Sequence, residues 1–318
     1  MANSEKSKFF SKKNKFYFSK SIIVDWIVLI IIAILVGLSA LVHPFERQFS
    51  LDDVTISHPH KGDTITMMAL VIGGALICFV VITGFQYYKK DLKYNYHQAV
   101  IGECLNVAAS TLFAHVIKNM VGRYRPDFIS VCDVDWEKVE EQYSYYYNIS
   151  STSSVNYGPR NLFNTTICKT SREELFEERR SFPSGHSAFA FCTMTYLSLY
   201  IAGQIHLLDK KSHLWKYFVV SLPMLLAVVV PLTRVFDYRH HWQDVTVGSI
   251  LGVFFGIITY YYYYPSLSSP NCDIPYQRYD NSQVTPDKPE IMEASMDKDY
   301  NDSRDYVDNK GLVNKELV

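Results

Sequence analysis

Residues 181–205 read SFPSGHSAFAFCTMTYLSLYIAGQI, a polar string that passes directly into an apolar run of about 20 residues, the length needed to cross a bilayer. The same kind of junction occurs twice more. Lys118-x6-Arg125-Pro126 closes an apolar run upstream, and Thr233-Arg234-x5-His240-x3-Asp244 lies between two runs downstream. Working outward from these junctions, spans are expected at 22–43, 64–88, 96–120, 186–205, 215–233 and 241–264. Consecutive spans cross in opposite directions. A motif that ends the third span, one that opens the fourth and one that bridges the fifth and sixth therefore share one face. The expected fold is all-α, a polytopic membrane protein with six transmembrane helices.

Average composition hides this architecture: over 318 residues the mean hydropathy is −0.03, because strongly apolar runs are offset by polar ends. Basic residues near span ends favour the cytoplasmic side. Lys12, Lys13, Lys15 and Lys20 precede the first span, Lys89, Lys90 and Lys93 follow the second, and Lys210, Lys211 and Lys216 lie between the fourth and fifth. The N-terminus is thus expected inside and the motifs outside. Arg123, Arg125, Arg179 and Arg180 break the charge rule at the outer face, and an anionic ligand would account for some of them.

Residues 1–21 are expected to be a basic cytoplasmic segment, 22–264 a membrane domain with an outer loop at 126–183, and 265–318 a disordered cytoplasmic tail, poor in aliphatics and rich in Asp, Asn, Ser and Lys. The first run is long and lacks a small-residue cleavage site, so it reads as a retained anchor. The outer loop holds two glycosylation sequons, Asn148-Ile149-Ser150 and Asn164-Thr165-Thr166. It also holds Cys132 and Cys168, candidates to pair in an oxidising compartment.

Charges at span ends commonly do no more than snorkel to the headgroups. Taken together, however, these residues describe an anion site. Lys118 and Arg125 are seven residues apart, two helical turns, and share a side if the helix continues that far. Arg123 falls on a different side. Ser184 and Gly185 open a helix whose unpaired N–H groups favour an anion, and His186 is placed to carry a proton. His240 is one turn before Asp244, a spacing that lets the carboxylate orient the imidazole and leaves Nε2 free to attack. His241, three residues before Asp244, is a rival that spacing alone does not remove. Arg234 adds positive charge nearby. No second cluster of Asp, His or Glu suggests a metal pair, so cations of the protein are expected to neutralise the phosphate, with no metal and no cofactor.

The strings VGRYRPDF at 121–128, SFPSGHS at 181–187 and DYRHHWQD at 237–244 resemble the signature of the type 2 phosphatidic acid phosphatase superfamily, and within it the animal lipid phosphate phosphatases, or phospholipid phosphatases. The resemblance covers about 25–264. Thr233 stands where the third motif usually has Ser, and keeps the hydroxyl. The resemblance implies a phosphatase/haloperoxidase-like helical core, with His240 as nucleophile, Asp244 orienting it and His186 protonating the leaving alcohol. It implies phosphate binding by Lys118, Arg125, Ser184, Gly185 and Arg234, and a metal-independent reaction through a phosphohistidine. The implied substrates are phosphatidate, lysophosphatidate, sphingosine 1-phosphate and ceramide 1-phosphate. Rival readings are a phosphatase or phosphotransferase acting on diacylglycerol pyrophosphate, polyprenyl diphosphate or glucose 6-phosphate, and a non-catalytic membrane scaffold. The expected partners are lipid phosphates and the bilayer, with no nucleic acid and a homo-oligomer left open. The expected location is the plasma membrane with an outward-facing site, or an endomembrane with a lumenal one.

Overall fold

The computed structural model describes residues 20–90, 94–152, 161–211 and 213–276. Most of the basic N-terminal segment, with Lys12, Lys13 and Lys15, therefore lies outside the described residues, as do Lys93, the side chain of Asn148 and the tail from 277 onward.

Among the described residues six helices reach 20 residues or more: α1 (Lys20–Leu41), α2 (Met67–Lys89), α3 (Tyr94–Val121), α6 (Gly185–Gln204), α7 (Leu214–Phe236) and α8 (Trp242–Tyr263). Five of them are long and apolar enough to cross a membrane, and large apolar side chains such as Ile30, Ile34, Leu76, Phe218 and Ile250 are exposed along them. In water such a surface would drive aggregation, so the chain is an integral membrane protein. α6 matches the others in length but falls short in apolarity, and the reason is its place. It packs against α2, α3, α7 and α8 and is buried along nearly its whole length, so protein rather than hydrocarbon surrounds it. Its Ser, Thr and Gly residues suit that setting.

The contact between α6 and α8 depends on glycines. A Cβ at Gly248 would stand 2.5 Å from the Ser184 carbonyl oxygen, and one at Gly252 would stand 2.5 Å from that of Ala188. At Gly256 it would meet the Thr195 Cβ at 2.8 Å. These three positions, four residues apart, form one bare stripe that lets two backbones touch. Both helices begin at the same end of the bundle, where the backbone N–H of Ser184 donates to the Asp244 carbonyl at 2.9 Å.

The loop expected at 126–183 is a folded cap. It contains α4 (Phe128–Cys132), α5 (Trp136–Thr152) and a strand Leu162–Phe163 that pairs antiparallel with Phe49–Ser50 of the loop between α1 and α2. Phe49, Ile56, Tyr124, Phe128, Phe163, Ile167 and Leu175 fill its apolar centre. Cys132 and Cys168 are joined as a disulfide. Asn148 falls within α5, whereas Asn164 is exposed in extended backbone before a short 3-10 turn.

At the other end the expected tail begins too early. Residues 265–276 pack against the bundle: Cys272 is buried, Asp273 pairs with Lys89 at 2.8 Å, and the Tyr276 N–H donates to the Tyr263 carbonyl. Turn-forming Ser, Pro and Asn residues look like a solvated tail in composition, but long-range contacts order this stretch.

Candidate active site

The site forms where α6 and α8 start side by side. Ser184 caps α6 by accepting the Ser187 N–H, and the positive ends of both helix dipoles face one spot. Asp244 is fully buried in the first turn of α8. Its Oδ1 accepts from the Arg123 guanidinium at 2.7 Å. Its Oδ2 accepts from the Ser181 hydroxyl at 2.5 Å and the His241 backbone N–H at 3.1 Å. Bonds to both oxygens fix this buried carboxylate in place.

The expected direct bond from His240 to Asp244 is absent. His240 Nδ1 is 3.9 Å from Oδ2, and Ser181 Oγ stands between them, 3.4 Å from Nδ1. Because the hydroxyl donates to the carboxylate, it is left to accept from the imidazole N–H. The contact thus becomes a relay through Ser181. His241 lies nearer, with Nδ1 at 3.2 Å from Asp244 Oδ2, but its Nε2 meets the Thr55 carbonyl at 3.2 Å. Both its ring nitrogens face acceptors. His240 instead is buried, and no hydrogen bond among the described residues ends on its Nε2. Its ring centroid is 6.5 Å from that of His186, whose buried Nε2 also lacks a partner. Burial, with Arg125 and Lys118 nearby, holds the His240 pKa well below the usual imidazole range although Asp244 pulls the other way. That shift favours the uncharged ring at neutral pH.

Lys118 and Arg125 reach the site by a route different from the expected one. α3 stops at Val121, where Gly122 takes φ +56° and a Cβ would lie 1.9 Å from the Phe45 carbonyl oxygen. Only glycine fits that left-handed, crowded turn. Arg125 is thus off the helix, and the two-turn argument fails for it. A ladder of backbone bonds positions it instead, Ser181 N–H to Arg123 O and Arg125 N–H to Glu178 O, both 3.0 Å. Lys118 Nζ donates to the Arg180 carbonyl at 2.6 Å, and a Cβ at Gly185 would lie 3.6 Å from Lys118 Cε. Arg125 binds the carbonyl and carboxylate of Glu177.

Arg234 is fully buried at the end of α7, between Asp237 at 2.7 Å and Asp63 at 3.0 Å. Its carbonyl accepts the N–H groups of Arg239 and His240, so the residue that binds charge also sets the turn before the histidine. That turn is strained: Tyr238 has φ +56°, unusual for a bulky side chain. His58 stacks on its ring at 4.5 Å and Lys61 lies over it, so the loop between α1 and α2 holds the turn in place. Arg239 completes the support by bonding to both Asp127 and Glu178.

All eight residues expected at the site, Lys118, Arg125, Ser184, Gly185, His186, Arg234, His240 and Asp244, lie at one end of the bundle, where α6 and α8 begin. The spacing gave no hint of Ser181, and it put Arg123 on the wrong side. Arg123 is the ion-pair partner of Asp244 and not a residue aimed elsewhere. Its place directly after Gly122 was the available signal, since a helix that ends at glycine sends the next residues in a new direction.

The PAP2 superfamily model matches residues 99–267, which spans all three motifs. Lipid phosphate phosphatase 2 of Arabidopsis thaliana is 29% identical over 78% of this chain and 79% of its own length. Phospholipid phosphatase 2 of Homo sapiens is 31% identical over 76% of this chain and 82% of its own length. A probable diacylglycerol pyrophosphate phosphatase 1 of Schizosaccharomyces pombe is 31% identical over 79% and 85% respectively. No solved structure matches.

Proposed function

This chain belongs to the PAP2 superfamily, and on that premise we propose that it is a lipid phosphate phosphatase that cleaves phosphate monoesters of lipids through a phosphohistidine. The observation that carries the reading is a buried His240 whose Nδ1 is held by Ser181 while no hydrogen bond among the described residues ends on its Nε2, facing His186, whose Nε2 is likewise unpaired, with Lys118, Arg125, Arg234 and two helix N-termini around them. His240 Nε2 attacks phosphorus in line with the leaving alkoxide, and His186 gives that oxygen a proton. The imidazolium formed is stabilised through Ser181 by Asp244. Water, deprotonated by His186, then releases phosphate. The cations and helix N–H groups supply the charge stabilisation that a metal would otherwise provide, so the reaction is metal-independent.

Phosphatidate, lysophosphatidate, sphingosine 1-phosphate and ceramide 1-phosphate are the proposed substrates. Diacylglycerol pyrophosphate is a second reading, favoured by the likeness to the S. pombe protein. The proposed topology has six crossings, α6 being the protein-enclosed one, with the site at the outer or lumenal face of the plasma membrane or an endomembrane. Asn164, exposed in extended chain, is the better placed of the two proposed glycan sites. Phosphate release from lysophosphatidate in EDTA tests the reading: the wild type is expected to remain active, and His240→Ala to lose roughly 10³-fold or more. Equal release by both proteins would overturn the mechanism.

A further inference from the structure

We propose that Arg180 is a further phosphate-contacting residue of this site, and that the Glu177 carboxylate is the internal anion which the substrate's phosphoryl group displaces. The proposal rests on the lipid phosphatase reading and adds to it a residue outside the motifs and a basis for headgroup choice.

Arg180 is buried, 4% exposed. Its Nη1 meets Glu177 Oε1 at 3.1 Å, while its Nε and Nη2 have no hydrogen-bond partner among the described residues. The Phe176 ring covers one face of this guanidinium, 5.0 Å from ring centroid to Cζ, but accepts neither in-plane N–H, and two such donors left unpaired inside a protein are costly unless something visits them. The other oxygen of the same carboxylate, Oε2, lies 3.4 Å from Arg125 Nη2. Lys118 joins the group, its ammonium bound to the backbone carbonyl of Arg180. One carboxylate is thus bridged by two arginines beside a lysine, the arrangement a phosphate would adopt with its three free oxygens.

Glu177 is suited to leaving. Its side chain is 57% exposed, against 10% and 5% for Arg125 and Arg180, so it can swing into water while the cations stay. Burial opposes its ionisation, but Arg125, Arg180 and Lys118 together hold its pKa below the ordinary carboxylate range. It is charged whenever the site is empty. Its own charge then sets a threshold. A phosphate monoester carries about −1.5 to −2 at neutral pH, more than the carboxylate it replaces. A phosphodiester carries about −1 and gains nothing by the exchange. Glu177 therefore makes the cradle select terminal phosphate over the internal phosphate of ordinary phospholipids.

Calorimetric titration of inorganic phosphate into the purified full chain tests this without relying on turnover. Glu177→Gln is expected to bind phosphate about tenfold more tightly, and Arg180→Ala about tenfold more weakly, with Arg180→Lys between them. The preference for methyl phosphate over dimethyl phosphate should narrow in Glu177→Gln. Arg125→Ala serves as the control for the site itself. If Arg125→Ala weakens binding while Glu177→Gln and Arg180→Ala change nothing, the site stands and the stand-in is overturned. If Arg125→Ala also changes nothing, the functional reading falls and this proposal with it. Should Arg180→Ala fail to fold, Glu177→Gln decides alone, because it keeps the size of the side chain.

Discussion

The end of the bundle where the motifs meet and the rest of its interior, its waist, both hold many polar groups, but they are built by opposite rules. At the motif end the groups are charged and their partners come from loops: Asp244 with Arg123, Arg234 with Asp63 and Asp237, Arg239 with Asp127 and Glu178. At the waist the bonds are mostly between neutral groups, and they tie neighbouring helices to the central one. Gln86 donates to Tyr200 at 2.6 Å, Asn106 donates to the Cys192 carbonyl at 2.8 Å, and Tyr196 donates to the Ala99 carbonyl at 3.0 Å. Each of these bonds involves α6. Away from water such bonds orient helices that have little hydrophobic reason to associate, whereas clustered charge at the rim preorganises a place for an anion. Charge is concentrated where the three motifs meet, while mostly neutral bonds along the spans join the neighbouring helices to α6.

The sharpest way to break that contrast is to change one atom at the rim. Asp244→Asn keeps an oxygen to accept the His241 N–H and cap α8, but removes the charge that, in the proposed mechanism, stabilises the His240 imidazolium. Lipid phosphate hydrolysis is expected to fall roughly 10³- to 10⁴-fold. The melting temperature should stay within a few degrees of wild type. A variant that loses activity only in proportion to lost folded protein would show that Asp244 serves the fold.

The reverse experiment belongs to the waist. Gly252→Leu must push α8 away from the Ala188 carbonyl, at a cost of about 3 kcal/mol or more. Loss of the monodisperse folded species in size-exclusion chromatography is expected, with Gly252→Ala intermediate. Full activity in Gly252→Leu would mean that the two helices do not touch along this stripe.

Legibility in the sequence divides along the same line. The outer motifs could be read as strings because phosphate chemistry demands particular residue types at fixed offsets, and the helices could be placed within a few residues because hydrocarbon demands length and apolarity. Contacts made across the chain could not be read. Glu177 and Asp63 reach their arginines from different loops, and Ser181 sits 59 residues from the histidine it contacts. The cap was also hidden, since α5 is polar and its neighbours are short turns. The role of α6 as hub was legible only in part: its low apolarity departs from that of its neighbours, but only the structure shows that it is enclosed.

Ser181→Ala tests the relay between the two outer motifs. The hydroxyl bonds to an ionised partner, worth about 1.5–3 kcal/mol, so kcat should fall by roughly 10- to 100-fold. KM should hardly move, because the Ser181 hydroxyl is engaged by Asp244 Oδ2 and His240 Nδ1, on the side of the ring away from Nε2. A matching rise in KM with kcat unchanged would place Ser181 in substrate binding instead. Gln86→Leu at the waist should do neither and cost about 1 kcal/mol of stability, seen as a small fall in melting temperature.

The smallest expected effect separates the two regions by pH. Burial keeps the His240 imidazole neutral, and the positive charges of Arg125 and Lys118 add to this, so its folded pKa lies well below the usual value. An unfolded histidine takes up a proton as the pH falls through about 6.5. Over that range the unfolded chain gains a proton that the folded chain refuses. The stability contribution is therefore complete above about pH 6.5 and is lost progressively on acidification. Melting curves taken from neutral to mildly acidic pH should show a shallower decline for His240→Gln than for wild type. Gln86→Leu should lower the curve by the same amount at every pH, because no titrating group is removed. Parallel decline of wild type and His240→Gln would mean that His240 takes up its proton over the same pH range in the folded chain as in the unfolded one, so that burial does not hold it neutral.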